Sequence, residues 1–343
     1  AAAEGWDREE AAGIVNPARA RWRAGGTALR IQLVRHRGEL DEAMRFARET
    51  LRLAPSDDPL VRGYGHLGLA HARRELGEYG AALEAYARGK ACMRRAANAS
   101  SACLTAFYEC RLLQLLGRPG EAADVVRDAM AWMGKHGAED DPANGILHVA
   151  RGTLLCEAHK LSEAEVHLKR GLTLSRRGGH HDYIRNGAIA MARLKLAMGD
   201  GRGALAAVRQ AESATAAEEM PLPSAETAAH KARAWLAVGN LDDAARWAED
   251  AARRTGQDCG YTRHVEAATR ARVLLAQGDV SAVLDQVAVC ERMAADSGAR
   301  GWAVEVAIIG ALACEAERDR VGALGYLERA LSRARPKAYA QRF

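Results

Sequence analysis

Four arginines recur at one position of a repeated sequence pattern, and arginine is a residue that recognises anions. Six residues before each of eight similar turn sequences, the chain carries Gln32, His71, Arg111, Thr153, Arg193, Arg233, Arg272 and Leu312. A guanidinium group offers a planar fork of N–H donors that suits carboxylates, phosphates and clustered hydroxyls. If the fold aligns these positions along one groove, the pattern predicts a site for an anionic or polyhydroxylated ligand.

Other polar and aromatic residues lie at neighbouring positions and extend this candidate groove, among them Gln114, Glu226 and Glu305. The residues that we predict to bind ligand are Tyr64, His71, Phe107, Arg111, Thr153, Asn186, Arg193, Arg233 and Arg272. A plainer interpretation stays open beside this one. Arginine is the commonest charged residue of the chain, and its stem can simply cover apolar neighbours while its head stays in water.

Signatures of catalysis are missing from the sequence. It has no phosphate-binding G-x-x-x-x-G-K-[ST] loop, no H-E-x-x-H zinc motif, no G-x-S-x-G elbow and no Cys or His pair at zinc spacing. The adjacent histidines of GGHHDY (178–183) are typical of a solvated loop between helices. We therefore predict that the chain is not an enzyme and holds neither a metal nor a cofactor.

The elements that must position the arginines are internal repeats. Turn sequences such as GEYGAA (77–82) and GNLDDA (239–244) begin at positions 38, 77, 117, 159, 199, 239, 278 and 318, a spacing of 39 to 42 residues. A fixed period of this length is the signature of a repeat protein. Glycine opens six of the turns, while His159 and Arg318 stand at positions where a left-handed conformation is expected.

Three columns of mostly small residues run through the repeats. They lie seven residues before the turn, five after it and twelve after it, as at Ala232, Ala244 and Ala251. Small residues let helices approach closely, and larger ones fill the layer between, nine residues after the turn: Tyr86, Val126, Leu168, Val208, Val287 and Leu327. With apolar spacing of three and four residues, this is the tetratricopeptide (TPR) pattern lengthened to about 40 residues. We predict an all-α, right-handed superhelix (α-solenoid) of about eight long helical hairpins.

Composition bounds the remaining expectations. The net charge is +5 and the seven cysteines contain no C-x-x-C, so we expect no nucleic-acid surface and a reducing, cytoplasmic location. No apolar run is long enough to cross a membrane. We expect an N-terminal segment (1–16), poorly ordered, and one TPR-like domain (17–343). The chain starts without Met, which suggests a piece of a longer protein.

The repeats resemble the long TPR region of the MalT-type, large ATP-binding LuxR transcriptional activators. The segments that carry this resemblance are LGLAHARRELGEYGAALEAY (67–86), LLQLLGRPGEA (112–122), LLCEAHKLSEAEVHLKRGLTLSRRGG (154–179), MARLKLAMGD (191–200), ARAWLAVGNLDDAARWAED (232–250), ARVLLAQGDV (271–280) and the tail LERALSRARPKAYAQRF (327–343). The turn at Glu157-Ala158-His159 matches the family in its glutamate and departs from it in the next two residues.

The resemblance implies a function. Such activators carry an ATPase before the TPR region and a DNA-binding helix-turn-helix after it, so ATP and promoter DNA would belong to other segments and not to this chain. We expect this region to bind a small-molecule inducer, anionic or polyhydroxylated, and to pass the signal on. The alternative is a stand-alone TPR scaffold that binds a peptide or protein partner in its concave groove.

Overall fold

The computed structural model describes residues 17–36, 39–216, 225–253 and 260–334. These residues form α-helices and one short 3₁₀ helix, Pro142–Asn144, and contain no β-strand. The helices are α1 (Pro17–His36), α2 (Leu40–Leu53), α3 (Pro59–Glu75), α4 (Tyr79–Arg95), α5 (Ala99–Leu115), α6 (Pro119–Lys135), α7 (Gly145–Glu157), α8 (Leu161–Arg177), α9 (His181–Ala197), α10 (Gly201–Ala216), α11 (Ala225–Ala237), α12 (Leu241–Arg253), α13 (Tyr261–Gln277), α14 (Val280–Ser297), α15 (Arg300–Ala316) and α16 (Arg320–Ala334).

These helices pair into eight hairpins within the described ranges, each with an odd-numbered first helix and an even-numbered second helix. The predicted all-α fold of long TPR-like hairpins is confirmed. The chain forms two compact units, an N-terminal unit of residues 1–105 and a C-terminal unit of residues 106–343. The expected single domain over 17–343 stays a prediction, and the segment 1–16 lies outside the described residues.

The turn inside each hairpin has the geometry that its sequence predicts. Five of the predicted turn glycines have positive φ, Gly77, Gly117, Gly199, Gly239 and Gly278, and so do both exceptions, with φ of 56° at His159 and 60° at Arg318. The residue after the turn often caps the second helix. Asp200 Oδ1 accepts from the backbone N–H of Gly203 at 2.8 Å and Asp279 Oδ1 from that of Ala282 at 3.0 Å, which supplies a partner for a free N–H at the helix start.

The three small-residue columns lie where the helices pack. Every residue in them is buried. Gly171 shows why size matters, because a Cβ there would lie 2.8 Å from the carbonyl oxygen of Gly145 and 3.0 Å from the backbone nitrogen of Val149. Backbone atoms cannot move aside as the end of a side chain can, so α7 and α8 approach this closely only because position 171 lacks a side chain.

The sequence pattern wrongly predicts burial for one residue in the layer of larger side chains. Tyr86, Val126, Leu168, Val208 and Val287 are buried, but Leu327 is 37% exposed. Leu327 lies on α16, and the described part of the chain places no further hairpin against the outer face of that helix. The layer needs a hairpin on both sides, which the sequence pattern alone does not reveal for the last repeat.

The C-terminal unit curves far enough for distant hairpins to touch. A Cβ on Gly117, in the turn between α5 and α6, would lie 3.1 Å from the backbone nitrogen of Gly301 at the start of α15. The third and eighth hairpins therefore meet, although four hairpins separate them in sequence. In the ranges that the structure describes, no helix is both long and apolar enough to pass through a lipid bilayer.

Candidate functional site

A polar cavity of about 90 Å³ lies within the C-terminal unit. Its wall comes entirely from α5, α7, α9, α11, α13 and α15, the first helices of six consecutive hairpins. The lining residues are Arg111, Gln114, Leu115, Glu157, Arg193, His230, Arg233, Tyr261, His264, Val265, Gly301, Trp302 and Glu305. Three of the four predicted arginines thus converge on one space.

Arg111 on α5 connects three other hairpins. It forms an ion pair with Glu226 on α11, with the two side chains only 12% and 11% exposed. It also donates to Asn186 Oδ1 on α9 at 3.1 Å and to the Tyr261 hydroxyl on α13 at 2.6 Å. Its guanidinium carbon lies 4.5 Å from the centre of the Tyr261 ring, close enough for a cation–π contact. A single side chain therefore holds four hairpins in register.

Arg193 on α9 pairs with Glu157 at the end of α7, with Nη2 3.1 Å from Oε1. Glu157 of the fourth hairpin thus supplies the ion-pair partner of Arg193 in the fifth hairpin.

Glu305 on α15 serves two arginines. Arg233 Nη2 lies 3.0 Å from Glu305 Oε1 and Arg272 Nη2 lies 3.3 Å from the same oxygen. The Nε of Arg233 also donates to the Thr269 hydroxyl at 2.8 Å. The groove arginines are therefore bound to carboxylates of other hairpins. Neither sequence interpretation, a ligand site or an arginine stem over apolar neighbours, predicts this pairing.

Burial and neighbouring charges shift the pKa values of two side chains in this network, Glu226 and His230. Burial alone would raise the pKa of the Glu226 carboxyl, but the adjacent Arg111 charge and hydrogen bond bring that pKa down to about 2. Burial, together with the charge of Arg233, lowers the pKa of His230 to about 3. At neutral pH the Glu226 carboxyl is therefore ionised and the His230 imidazole is neutral.

A smaller cavity of about 20 Å³ shares Arg111 and Arg193 with the larger one. Its wall contains five of the predicted site residues, Phe107, Arg111, Thr153, Asn186 and Arg193. The Thr153 hydroxyl donates to the backbone carbonyl of Val149 in its own helix at 2.9 Å, so this side chain is already used locally. A space of this size holds about one or two water molecules.

The remaining predicted site residues lie elsewhere. Tyr64 and His71 are on α3 in the N-terminal unit. His71 is buried, and its Nδ1 lies 3.1 Å from the Tyr86 hydroxyl, while the amide of Asn98 donates to the Tyr64 hydroxyl at 3.5 Å. Arg272 does not line the larger cavity and reaches it only through Glu305.

Several cavity residues were not among the predicted set. Glu157, His230, Tyr261, His264 and Trp302 line the wall, yet none lies six residues before a turn. His230 lies nine residues before its turn and Trp302 lies sixteen residues before its turn. Both positions are on the inner face of a first helix, and the single predicted column leaves them out.

The chemistry available here is recognition of polar groups. Donors, acceptors and charges of both signs surround the cavity of about 90 Å³. Among the described residues, no group of three or more His, Cys, Asp or Glu side chains is arranged to hold a metal ion.

Comparison with known proteins adds a family and a fold. The family model for the MalT-like TPR region matches residues 26–343, and no curated protein matches the sequence significantly. A crystal structure of a Rap protein complexed with Competence and Sporulation Factor is similar, with a TM-score of 0.64 and 13% identity over 90% of this chain and 84% of that one. The Rap conjugation gene regulator of plasmid pLS20, in complex with the Phr* peptide, has a TM-score of 0.62 and 14% identity over 92% and 94%. At these identities the likeness shows the fold, a solenoid of TPR-type hairpins.

Proposed function

Because the chain belongs to the family of MalT-like TPR regions, we propose that it is the signal-sensing region of a transcriptional regulator of this type. Its inducer binds in the cavity of the C-terminal unit. The observation that carries the proposal is the convergence of six first helices on one polar space lined by Arg111, Arg193 and Arg233. Ligand pockets typically combine a concave wall with a few convergent polar groups, as this one does.

The network around the cavity offers a route from binding to signal. Arg111 joins the third hairpin to the fifth, sixth and seventh, and Glu305 joins the sixth and seventh to the eighth. A ligand that contacts these groups binds one arrangement of the hairpins better than another, and it shifts their populations by that difference in affinity. The ATPase and helix-turn-helix that the MalT resemblance implies would respond to this shift.

A thermal-shift screen tests the proposal. Sugars, organic acids, nucleotides and short peptides are added to the protein, because a ligand that binds only the folded state raises its melting temperature by mass action. Arg233→Gln is the diagnostic variant, since Glu305 keeps Arg272 as a partner when Arg233 is lost. Arg127→Gln is the matched control, since Arg127 lies on α6, is 71% exposed and pairs only at the surface with Asp124.

We expect at least one compound to raise the melting temperature of the wild type and of Arg127→Gln, but not that of Arg233→Gln. If every stabilising compound acts equally on all three proteins, the cavity is not the sensing site. If no compound or peptide stabilises the wild type, the sensing function is wrong for this chain.

Peptide binding is the second candidate. The pLS20 Rap regulator, which shares this fold, was solved with the Phr* peptide. An extended peptide would contact several first helices in succession, so its binding would be weakened by both Arg233→Gln and Asn186→Ala. Asn186 lines only the smaller cavity, and a small inducer in the larger one would be less sensitive to its loss.

A further inference from the structure

The first and the last hairpin leave apolar side chains exposed at positions that are buried in the other hairpins. Nine residues before the turn, the side chain is buried in the second to eighth hairpins, but Leu29 on α1 is 71% exposed. Nine residues after the turn, it is buried in the first seven hairpins, but Leu327 on α16 is 37% exposed. Val321, Leu324 and Leu331 on α16 are exposed as well. Both hairpins therefore present a packing surface that a neighbouring hairpin covers elsewhere in the chain.

Contacts within the chain show how one hairpin covers the next. At two junctions, the residue thirteen positions after one turn packs against the residue twelve positions before the following turn. A Cβ added to Gly65 on α3 would lie 2.9 Å from Leu51 Cγ on α2. A Cβ added to Gly187 on α9 would lie 2.8 Å from Leu172 Cδ2 on α8. The leucine of one hairpin thus fits against the glycine of the next, because glycine leaves room for its side chain.

The same two residue types occur once more, on the first and the last hairpin. Leucine lies thirteen positions after the turn in three hairpins, at Leu51, Leu172 and Leu331. Glycine lies twelve positions before the turn in three hairpins, at Gly26, Gly65 and Gly187. At the other five junctions neither residue type occurs at its position. Two leucines and two glycines therefore meet within the chain, and a third leucine and a third glycine are left over.

Both of the remaining residues are accessible. Leu331 is 49% exposed on the outer face of α16. Gly26 is exposed on α1, and within the described part of the chain nothing lies within 4 Å of its Cβ position. The last hairpin thus presents the leucine, and the first hairpin presents the glycine, of a junction that is seen twice inside the chain.

We propose that two copies of this chain associate head to tail, with the last hairpin of one copy packed against the first hairpin of the other. Leu331 lies against the partner's Gly26, as Leu172 lies against Gly187 within the chain. The contact joins two different surfaces, so it is heterologous and can continue from copy to copy. This inference goes beyond the proposed sensing function and does not depend on it.

A second pair of residues supports the same register. At the junction of the first two hairpins, a Cβ on Gly68, nine positions before its turn, would lie 3.3 Å from Ala47 Cβ, nine positions after the preceding turn. The corresponding residues of the proposed contact are Leu29 and Leu327, the two leucines that are exposed on the first and the last hairpin. The contact removes both from water, which favours association.

Three variants of the full chain test the contact. Leu331→Glu places a charge on the last hairpin, and Gly26→Glu places one on the first, where the Cβ position is open. Val166→Glu is the matched control, because Val166 on α8 is 68% exposed and lies on neither surface. Melting curves establish that each variant is folded, and sedimentation equilibrium measures self-association up to the solubility limit.

We expect the average mass of the wild type and of Val166→Glu to rise with concentration. Leu331→Glu and Gly26→Glu should each self-associate about tenfold more weakly or worse, because either charge would be buried against an apolar surface. Leu331→Glu keeps an intact first hairpin and Gly26→Glu keeps an intact last hairpin. An equimolar mixture of these two variants should therefore form a heterodimer that grows no further.

Three results would overturn the proposal. One is a wild type that stays monomeric at every concentration, and another is a mixture of the two variants that stays monomeric. The third is weaker association of Leu331→Glu with no effect of Gly26→Glu, which would indicate that two last hairpins pack on each other. None of these results changes the Arg233-dependent binding that the thermal-shift screen measures, so the sensing function is tested separately.

Discussion

Arg111 and Glu226 are 115 positions apart in the sequence and form a buried ion pair inside the C-terminal unit. The pair joins the first helix of the third hairpin to that of the sixth. TPR hairpins usually contact only their neighbours, so a direct bond across three repeats is a tertiary constraint that repeat packing does not supply. The same arginine also lines both cavities, which places this constraint within the candidate binding site.

Breaking the pair on one side should cost more than removing it. Arg111→Leu leaves Glu226 buried without its main partner, and we expect the free energy of unfolding to fall by about 3 kcal/mol. The double variant Arg111→Leu/Glu226→Leu should recover part of that loss, because no unpaired charge remains. Urea denaturation of both variants measures this. A double variant that is no more stable than Arg111→Leu would contradict the account, and Arg127→Leu at the exposed pair with Asp124 should change stability by less than about 0.5 kcal/mol.

Acid should destabilise the C-terminal unit through His230. Its native pKa is lowered to about 3 from 6.5, so below pH 6.5 the unfolded chain binds a proton that the native state excludes. The contribution of His230 to the free energy of unfolding is therefore at its full value above about pH 7, and it falls by about 2 kcal/mol between pH 7 and pH 5. The stabilisation from Glu226 is present above its ordinary pKa of 4.5 and is lost only as the pH falls towards 2.

The variant His230→Gln isolates this effect. We expect the free energy of unfolding, measured at pH 7, 6 and 5, to fall less steeply with pH for His230→Gln than for the wild type. The difference in slope should correspond to about one bound proton. The remaining slope comes from other histidines such as the half-buried His148 and the buried His264, whose pKa values burial lowers to about 4. Parallel pH profiles for the two proteins would show that His230 is not buried in its neutral form.

Close helix packing predicts opposite effects for two glycine substitutions. In Gly171→Ala the new methyl group meets the backbone of α7 at Gly145 and Val149, and we expect a loss of about 1–3 kcal/mol. Gly325→Ala lies on the exposed side of α16 with nothing within 4 Å of the added Cβ, and it should gain about 0.5–1 kcal/mol from higher helix propensity. Thermal unfolding of the two variants decides the matter, and equal effects would mean that α7 and α8 are farther apart than described.

The exceptional turn at His159 should be improved by glycine. Its φ is 56°, a left-handed conformation that costs a residue with a Cβ roughly 1–2 kcal/mol. Allowing for the greater flexibility of glycine in the unfolded chain, His159→Gly should gain about 0.5–1 kcal/mol. Gly239→Ala, at φ of 77° with open space around the Cβ position, is the inverse control and should be destabilised. A destabilised His159→Gly variant would show that the histidine side chain contributes more than the strain costs.

The repeat period made the fold predictable from sequence, because each hairpin repeats the same packing problem with its neighbour. The turn positions, the buried small-residue columns and the left-handed conformations at His159 and Arg318 all follow from local sequence and nearest-neighbour packing. Leu327 was misplaced because burial in the last repeat depends on what lies beyond it and not on its own repeat.

The site was predictable only in part. The column six residues before the turn correctly brought Arg111, Arg193 and Arg233 to one cavity, since helical periodicity fixes which face a residue occupies. Their partners could not be assigned, because the pairing of Arg111 with Glu226 and Tyr261 depends on how far the C-terminal unit curves. That curvature sums small rotations between hairpins, and no local sequence pattern encodes it.

The central claim is that the arginine-lined cavity of the C-terminal unit binds the signal, and a calorimetric titration tests it most directly. The compound that most stabilises the wild type in the thermal-shift screen is titrated into wild type, Arg233→Gln and Arg127→Gln. We predict at least a tenfold weaker Kd for Arg233→Gln, a difference of about 1.4 kcal/mol, and an unchanged Kd for Arg127→Gln. Equal affinity for all three proteins would contradict the claim.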